Sequence, residues 1–419
     1  MPKPGLDLER VTPQYMSDLA DPLGDVYEAI VNRLLINVAR HFAGGVARGR
    51  DMIPGSEQWR AWMLARLGAL IDENFKIMAE MAGDVSGLTE QALRRAIYDA
   101  LKLADKELAA KISAPGYVPT VEESTQNALD MYEAQALNRM NLVNTVLLNS
   151  SLEQYSKLVN DTADYTQQLE TAQLILNRST GEVITGAQSF QQARQRAVLE
   201  MADAGLTGFK DRGGHNWSAS AYVEMDMRTT ALRAAREAVM KRNEEYGNDL
   251  IMVSSHPGAR PGCEPYQGAI YSTTGRSGTV EDLHGKQLTF TPLSGTSYGE
   301  PAGLFGINCG HFSAPFIPGA SVMRWPKYDK EESERLYKES QQQRYMERKV
   351  RKAKLKAEAL AAAGDEEGAK EQRKKARELN RQLKDWCEDN GRDYYADRVQ
   401  IIRTPSGGEG SGNSGNSGN

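Results

Sequence analysis

Apolar residues recur at helical spacing through most of the first two hundred positions. Intervals of four separate Val26, Ile30, Leu34, Val38 and Phe42. This row marks the buried side of a long helix, and the row drifts slowly round the helix axis. We expect the helix to begin at Asp21 and Pro22, because aspartate caps helices well and proline suits the first helical position.

A second helix is predicted from Ser56, whose side chain can cap it, and Gly83 is expected to end it in a left-handed conformation. Thr120 and Glu123 have the spacing of a capping box, in which each side chain accepts a hydrogen bond from the other's backbone amide. Residues 1–200 are therefore predicted to form a helical array. An ordinary bundle without a functional site is its plainest interpretation.

The pattern changes after residue 223. One more amphipathic helix is expected, followed by a short apolar run at 249–255 that is typical of a strand. The outer side of this helix is expected to carry Arg228, Arg233 and Arg236. From 257 to 319 glycine and proline are dense, and brief β-type runs lie between turn signals. Residues 201–325 are predicted to be a compact α+β module.

Residues 326–403 are highly charged but keep two helical seams. The first comprises Met346, Val350, Ala353, Ala357 and Leu360, and the second comprises Ala369, Ala376, Leu379, Leu383 and Trp386. Gly364 can end one helix and Asp365 can cap the next, so an antiparallel helical hairpin is expected. Residues 404–419 repeat glycine, serine and asparagine and are predicted to be disordered. The predicted fold class is mostly α, with an embedded α+β module.

Composition narrows the choice of function only slightly. The 51 basic and 56 acidic residues give a net charge of -5, so no global basic field points to nucleic acid. Three cysteines are too few for a disulfide framework, and no signal segment opens the chain, which predicts synthesis in a reducing cytoplasm. No apolar stretch reaches the roughly twenty residues that a membrane helix needs.

Two histidines and two cysteines fall in one small part of the module. His256 and Cys263 belong to one glycine-rich loop, and Cys309 and His311 belong to another. Imidazole and thiolate are the usual zinc ligands, so these four residues are a candidate zinc site, although a Cys-x-His pair is tighter than common zinc spacings. The plainer interpretation is that the cysteines are small buried apolar residues and the histidines bond loop backbone.

The same four residues could supply a cysteine nucleophile with a histidine base, but the sequence identifies no orienting third group. Arg260 sits on a rigid turn and could bind a carboxylate or phosphate. A structural arginine bonded to loop carbonyls is the favoured interpretation. Three further residues are predicted to have structural roles in these loops: Gln267, Gly268 and Asn308.

The first arm of the predicted hairpin carries a basic block opposed only by Glu347. Its members are Arg344, Arg348, Lys349, Arg351, Lys352, Lys354 and Lys356. Such a stripe can lie along DNA phosphates and bind them without sequence preference. A solvated face paired with neighbouring acidic residues is the competing and favoured interpretation.

The module resembles the phage minor capsid protein 2 family, whose relatives are the Mu F-like head morphogenesis proteins. The segments that carry the resemblance are 222–230 (YVEMDMRTT), 256–261 (HPGARP), 266–268 (YQG), 271–272 (YS), 304–311 (LFGINCGH) and 315–319 (PFIPG). The helical first half and the charged hairpin are similar to that family's layout. The resemblance therefore covers most of the chain, although outside the module it is architectural and rests on no motif.

This resemblance implies a structural protein rather than an enzyme, made in the bacterial host cytoplasm and incorporated into the virion in few copies. The expected partners are the portal protein or the major capsid protein, with genomic DNA as a further contact during packaging or ejection. In that family histidine often occupies the position of Cys263, and this exchange would preserve a metal-ligating side chain. Two alternatives stay open: an enzyme or toxin-like effector centred on the histidines and cysteines, and a DNA-binding protein that uses the basic block.

Overall fold

The computed structural model describes residues 13–180, 186–210, 216–326 and 328–401. The helices in these ranges are α1 (Pro13–Arg48), α2 (Glu57–Leu64), α3 (Leu67–Ala109), α4 (Val121–Thr180), α5 (Gly186–Ala204), α6 (Ala219–Glu245), α7 (Lys330–Ala362) and α8 (Glu366–Asp389). None of these helices, over the residues described, has the length and apolar character needed to cross a membrane. The predicted disordered tail, 404–419, lies outside the described residues.

Among the described residues, seven strands form two sheets. They are β1 (Thr207–Lys210), β2 (Asn216–Ser218), β3 (Leu250–Val253), β4 (Ile270–Ser272), β5 (Gly278–Glu281), β6 (Gln287–Pro292) and β7 (Ser313–Pro315). The first two form a small antiparallel pair, and the others form a mixed sheet in the order β5-β6-β4-β3-β7. β4 and β6 run parallel, and the remaining neighbours run antiparallel. The predicted fold class, mostly α with an embedded α+β module, is confirmed.

Helix α6 joins the two parts of the fold. It packs against α1, α3 and α4 on the helical side and against β7 of the larger sheet. Val223 and Leu232 project from opposite sides of α6, yet both are buried. A helix that is covered all round in this way fixes the sheet against the helical array.

One hydrophobic core extends through the helices, the sheet and the hairpin. Val26 of α1 and Met252 of β3 belong to the same cluster of contacting buried side chains as Leu360 of α7. The core is therefore continuous across positions 200 and 325. The domain boundaries expected at those positions stay predictions.

The predicted start of α1 is wrong. The helix begins at Pro13, so Pro22 lies inside it and Asp21 does not cap it. Ala20 and Leu23 are fully buried on either side of this proline. Because α1 packs against α3 and α6, the burial of its apolar side outweighs the local preference of proline for a helix end.

The helix predicted between Ser56 and Gly83 is wrong at two points. It is interrupted at Ala65 and Arg66, between α2 and α3, and Gly83 lies in the middle of α3. Met81 and Val85 are buried around it. A glycine inside a helix costs about 1 kcal/mol relative to alanine, whereas each large buried apolar side chain contributes about 1.5–3 kcal/mol. The helix therefore continues through the glycine.

Helices α7 and α8 form the predicted antiparallel hairpin. Gly364 takes a left-handed φ of 82° in the connection. The Asp365 carboxylate caps α8 by accepting a hydrogen bond from the Gly368 amide at 2.9 Å. Val350 and Leu383 are buried between the two arms. Because α7 also packs on α5 and α1, the hairpin is folded back onto the helical body.

The predicted capping box at the start of α4 is confirmed. The Thr120 hydroxyl accepts a hydrogen bond from the Glu123 amide at 3.1 Å, and the Glu123 carboxylate accepts one from the Thr120 amide at 2.8 Å. Two backbone amides that a helix end leaves without helical partners are thereby satisfied.

Thr120→Ala should lower the free energy of unfolding by about 1 kcal/mol, because it removes the acceptor of the helix cap. Urea denaturation followed by circular dichroism measures the change. Thr145→Ala is the matched control, since the Thr145 hydroxyl bonds the Asn141 carbonyl within the same helix, where alanine is the better helix former. Equal destabilisation by the two substitutions would contradict the capping role.

Candidate functional site

The candidate ligands lie at one edge of the larger sheet. Val253 at the end of β3 is opposite Ser313 at the start of β7, so the chain leaves β3 and enters β7 at the same edge. β4 starts at that edge too, with Ile270 opposite Met252. Sheet pairing therefore brings together both ends of the β3–β4 loop and the loop before β7. These segments carry the predicted histidines and cysteines.

Three of the four predicted ligands meet directly. Cys263 Sγ lies 3.6 Å from Cys309 Sγ, and Cys309 Sγ lies 3.4 Å from His311 Nδ1. The three ligand atoms all lie within 4.8 Å of one another. Their residues are only 1%, 2% and 1% exposed. His256 stands beside them, with its ring stacked on that of His311 at a centroid distance of 4.6 Å.

Gln267 fixes the positions of both histidines. Its Oε1 lies 3.1 Å from His311 Nε2 and accepts a hydrogen bond from the His256 amide at 3.1 Å. Because this oxygen accepts, His311 carries its proton on Nε2 and turns an unprotonated Nδ1 toward Cys309. His256 Nδ1 lies 3.1 Å from the Pro257 carbonyl, which leaves its Nε2 unprotonated by the same argument.

A hydrogen bond between the two thiols shifts their pKa values in opposite directions. Cys263 donates to Cys309, and this bond lowers the pKa of the Cys309 thiol, with further help from the nearby Arg236. The same bond, together with burial, raises the pKa of the Cys263 thiol well above its usual range. Cys309 is therefore the sulfur that ionises first. Thiolate is the form in which cysteine ligates metals.

Arg236 does not lie on the outer side of α6, so its predicted position is wrong. The residue is 3% exposed, and its guanidinium lies 4.6 Å from the centre of the Phe305 ring. Its Nε donates to the Leu232 carbonyl at 2.9 Å. Burial lowers the pKa of Arg236 to about 10, which leaves it charged at neutral pH. The loop that carries Phe305 covers this side of α6, which no periodicity in α6 could reveal.

The predicted structural residues hold the same loops together. Arg260 Nη2 donates to the Gly303 carbonyl at 3.3 Å. Gly268 has a left-handed φ of 61° and bonds back to β3 through its amide. Asn308 has a φ of 59° and accepts a hydrogen bond from Arg228 of α6 at 2.7 Å. Each bond ties a loop to another loop, to the sheet or to α6.

The cluster borders a groove of about 1990 Å³ between the helical body and the hairpin. One wall is acidic, with Asp18, Asp21, Asp25, Glu28 and Glu224, and the other is basic, with Arg344, Arg348, Arg351, Lys354, Arg373 and Arg377. Burial, together with Glu224 and Asp18, raises the pKa of Asp21 to about 7. The two thiols are nevertheless almost wholly buried, which keeps their sulfur atoms from a molecule lying in the groove.

Part of the basic block of α7 is paired with the helical body. Lys352 and Lys356 lie 3.1 and 2.5 Å from the carboxylate of Asp203 in α5. Arg351 lies 3.3 Å from Glu28 of α1. These ion pairs attach the hairpin to the body and agree with the interpretation of the block as a paired, solvated face.

The rest of the block faces the groove or solvent. Arg344, Arg348 and Lys349 are exposed, and the first two line the groove. The Lys349 ammonium lies 4.5 Å from the centre of the Tyr345 ring. Lys354 donates to the side chain of Gln400 at 3.0 Å. The seven basic side chains therefore do not form one free stripe.

The fold and the candidate site are those of a mostly helical protein with extensive surfaces. A mostly helical body with a small mixed sheet and a folded-back charged hairpin presents large surfaces, and the thiols of the candidate site are buried. The family model for phage minor capsid protein 2 matches residues 11–388. The chain belongs to this family, and it is therefore a structural protein of a bacteriophage.

Two relatives agree with this membership. A structural protein of Lactococcus phage LL-H is 31% identical over 317 residues, which cover 74% of this chain and 79% of that protein. A structural protein of Lactococcus phage mv4 is 43% identical over 68 residues, which cover 16% of this chain and 55% of that protein. No solved structure matches the chain.

Gly303→Ala should destabilise the site, because the added Cβ would lie 2.0 Å from the Ser297 carbonyl oxygen. The expected cost is about 1–3 kcal/mol, as for other overpacked interiors. Thermal unfolding measures it. Gly295→Ala is the control, since a Cβ there meets open space. If both variants melted like the unmodified protein, the loops would not be as closely packed as the structure shows.

Proposed function

We propose that this chain is a portal-associated subunit of the phage head, which binds other virion proteins and does not turn over a substrate. Membership of the minor capsid family supports the role in the virion. The resemblance described above implies the portal as its neighbour. The surface that we assign to this contact lies on α4.

The exposed side of α4 is uncharged over five helical turns. From position 131 to 149 its exposed residues are Met131, Ala134, Gln135, Asn138, Asn141, Leu142, Thr145 and Asn149. Met131 is 61% exposed and Leu142 is 68% exposed. These two residues lie three turns apart on the same side of the helix. The whole stripe, from 131 to 149, extends for about 27 Å at 1.5 Å per residue. This stripe is the observation that carries the proposal.

A stripe of this kind is typical of a contact surface. In a chain with 26% charged residues, an exposed helix face should carry charges, and interface cores are depleted of them. Phe75 of α3, which is 56% exposed, borders the stripe and lines a small pocket with Thr145 and Asn149. The uncharged surface therefore spans two adjacent helices.

The geometry of the cysteines also supports binding over catalysis. A nucleophile must reach its substrate, but Cys263 and Cys309 are 1% and 2% exposed. The enzyme alternative would need the His256 loop to open. The ties from Gln267 and Arg260 oppose that opening.

Leu142→Glu combined with Met131→Glu should reduce incorporation of the chain into phage particles at least tenfold, because charge is buried when the stripe meets its partner. Mass spectrometry of purified particles from a complemented phage measures it. Leu283→Glu is the matched control, since Leu283 is 55% exposed in a turn of the module.

Binding of the purified chain to the purified portal, lost in the double variant alone, would support the assignment. Unchanged incorporation of the double variant would contradict it. Binding to the major capsid protein instead of the portal would contradict the choice of partner.

The basic wall of the groove favours a second, smaller role. We propose that the exposed part of the block, formed by Arg344, Arg348 and Lys349, contacts genomic DNA. Arg344 and Arg348 line the groove beside Arg373 and Arg377 of α8, and the neighbouring Lys349 is exposed, which supports this contact. Lys352 and Lys356 are left out of it because they pair with Asp203.

Replacing Arg344, Arg348 and Lys349 with glutamine should weaken DNA binding and lower the slope of log affinity against log salt by about one per removed cation. Fluorescence anisotropy across a salt series gives both values. The same exchange at Lys370, Lys374 and Lys375, exposed cations of α8, is the control. DNA binding that does not depend on salt, or that falls equally with the α7 and the α8 substitutions, would contradict this role.

A further inference from the structure

The cysteine and histidine atoms have the spacing of a metal-coordination shell. Zinc binds sulfur at about 2.3 Å and nitrogen at about 2.0 Å in a tetrahedron, which places two sulfur ligands about 3.8 Å apart and sulfur and nitrogen about 3.5 Å apart. The corresponding distances here are 3.6 Å between Cys263 and Cys309 and 3.4 Å between Cys309 and His311. Two edges of such a shell are thus nearly formed, and the atoms of the third pair lie within 4.8 Å of each other.

The histidines are oriented as metal-ligating histidines usually are. Such a residue donates one ring N–H to an oxygen acceptor and offers its other nitrogen to the metal. His311 does this with Nε2 on Gln267 Oε1, so its free Nδ1 points at Cys309. His256 does it with Nδ1 on the Pro257 carbonyl, so its free nitrogen is Nε2. The stacked ring of His256 is adjacent to the three-residue set.

We propose that Cys263, Cys309 and His311 bind a zinc ion through Sγ, Sγ and Nδ1, and that His256 closes the fourth side through Nε2. Binding takes zinc in place of the thiol protons, which are released to solvent. Four protein ligands leave no position for a substrate, so the ion is structural. It ties the loop after β3 to the loop before β7.

This inference goes beyond the head-protein role, because either could hold without the other. A minor capsid protein needs no metal, and a zinc site does not define a virion partner. The experiments below use metal binding and not incorporation as their readout, so the two can fail separately.

The first test is made on the full chain without substitution. Elemental analysis of protein purified with zinc in the medium should find zinc equimolar with the chain. Protein freed of metal and titrated with Co²⁺ should develop the thiolate-to-metal absorption and the strong visible bands of tetrahedral sulfur and nitrogen ligation. Octahedral cobalt bands, or no metal at all after titration, would overturn the proposal. Recovery of Cys263 and Cys309 only as a mutual disulfide would overturn it too.

Substitutions then assign the ligands. Cys263→Ser, Cys309→Ser and His311→Ala should each lower zinc affinity at least a hundredfold, measured by competition with a chromogenic chelator. Cys387→Ser and His284→Ala are the matched controls, because Cys387 is buried in the hairpin and His284 is exposed in a turn. Equal loss in the controls would contradict the assignment. Because a ligand variant can fail to fold, circular dichroism of each variant is compared with that of metal-free unmodified protein.

His256 and Gln267 need separate variants. His256→Ala should keep cobalt bound but shift its visible bands, since water replaces an imidazole, and an unchanged spectrum would remove His256 from the shell. Gln267→Ala should lower zinc affinity about 10–100-fold, because Gln267 positions two of the ligands. Gln267→Glu keeps the acceptor oxygen and should restore most of the affinity. Unchanged affinity in Gln267→Ala would contradict the positioning role.

Discussion

The pairing of β3 with β4 on one side and β7 on the other is the constraint on which the site depends. All four residues of β3 are buried, so its register is held by side chains on both faces of the sheet. A slip of one residue would turn Met252 from one layer of the core to the other. With the register held, the β3–β4 loop and the loop before β7 must meet at a common edge of the sheet. Their cysteines, histidines and Gln267 meet there mainly through contacts between residues more than forty positions apart.

Much of the fold follows from the sequence, and its errors have a common cause. Hydrophobic spacing predicts the long helices, the buried strand β3 and the hairpin, and local side-chain chemistry predicts the capping box at Thr120. Pro22 and Gly83 are the failures, because each is a local stop signal inside a surface that other helices cover. Propensities of about 1 kcal/mol per residue are outweighed where several apolar side chains are buried nearby.

The candidate site could be predicted only in part, for a different physical reason. Residue chemistry identifies the cysteines and histidines, but their partners come from distant positions. Gln267 reaches His311 across 44 residues, and Arg228 reaches Asn308 across 80. Arg236 is buried by a loop that folds over α6. The basic block divides in the same way, because Asp203 and Glu28 meet it only after the hairpin folds back. The uncharged stripe on α4 is visible only once burial separates its exposed side from its core side.

We propose that this family member is built into the phage head and acts there through its surfaces. Quantitative mass spectrometry of purified, DNA-filled particles, with the portal and major capsid proteins as internal standards, tests it most directly. The chain should be present at a fixed ratio to the portal, in a copy number far below that of the major capsid protein. Absence of the chain from particles, or its recovery only in the lysate that surrounds them, would contradict the claim.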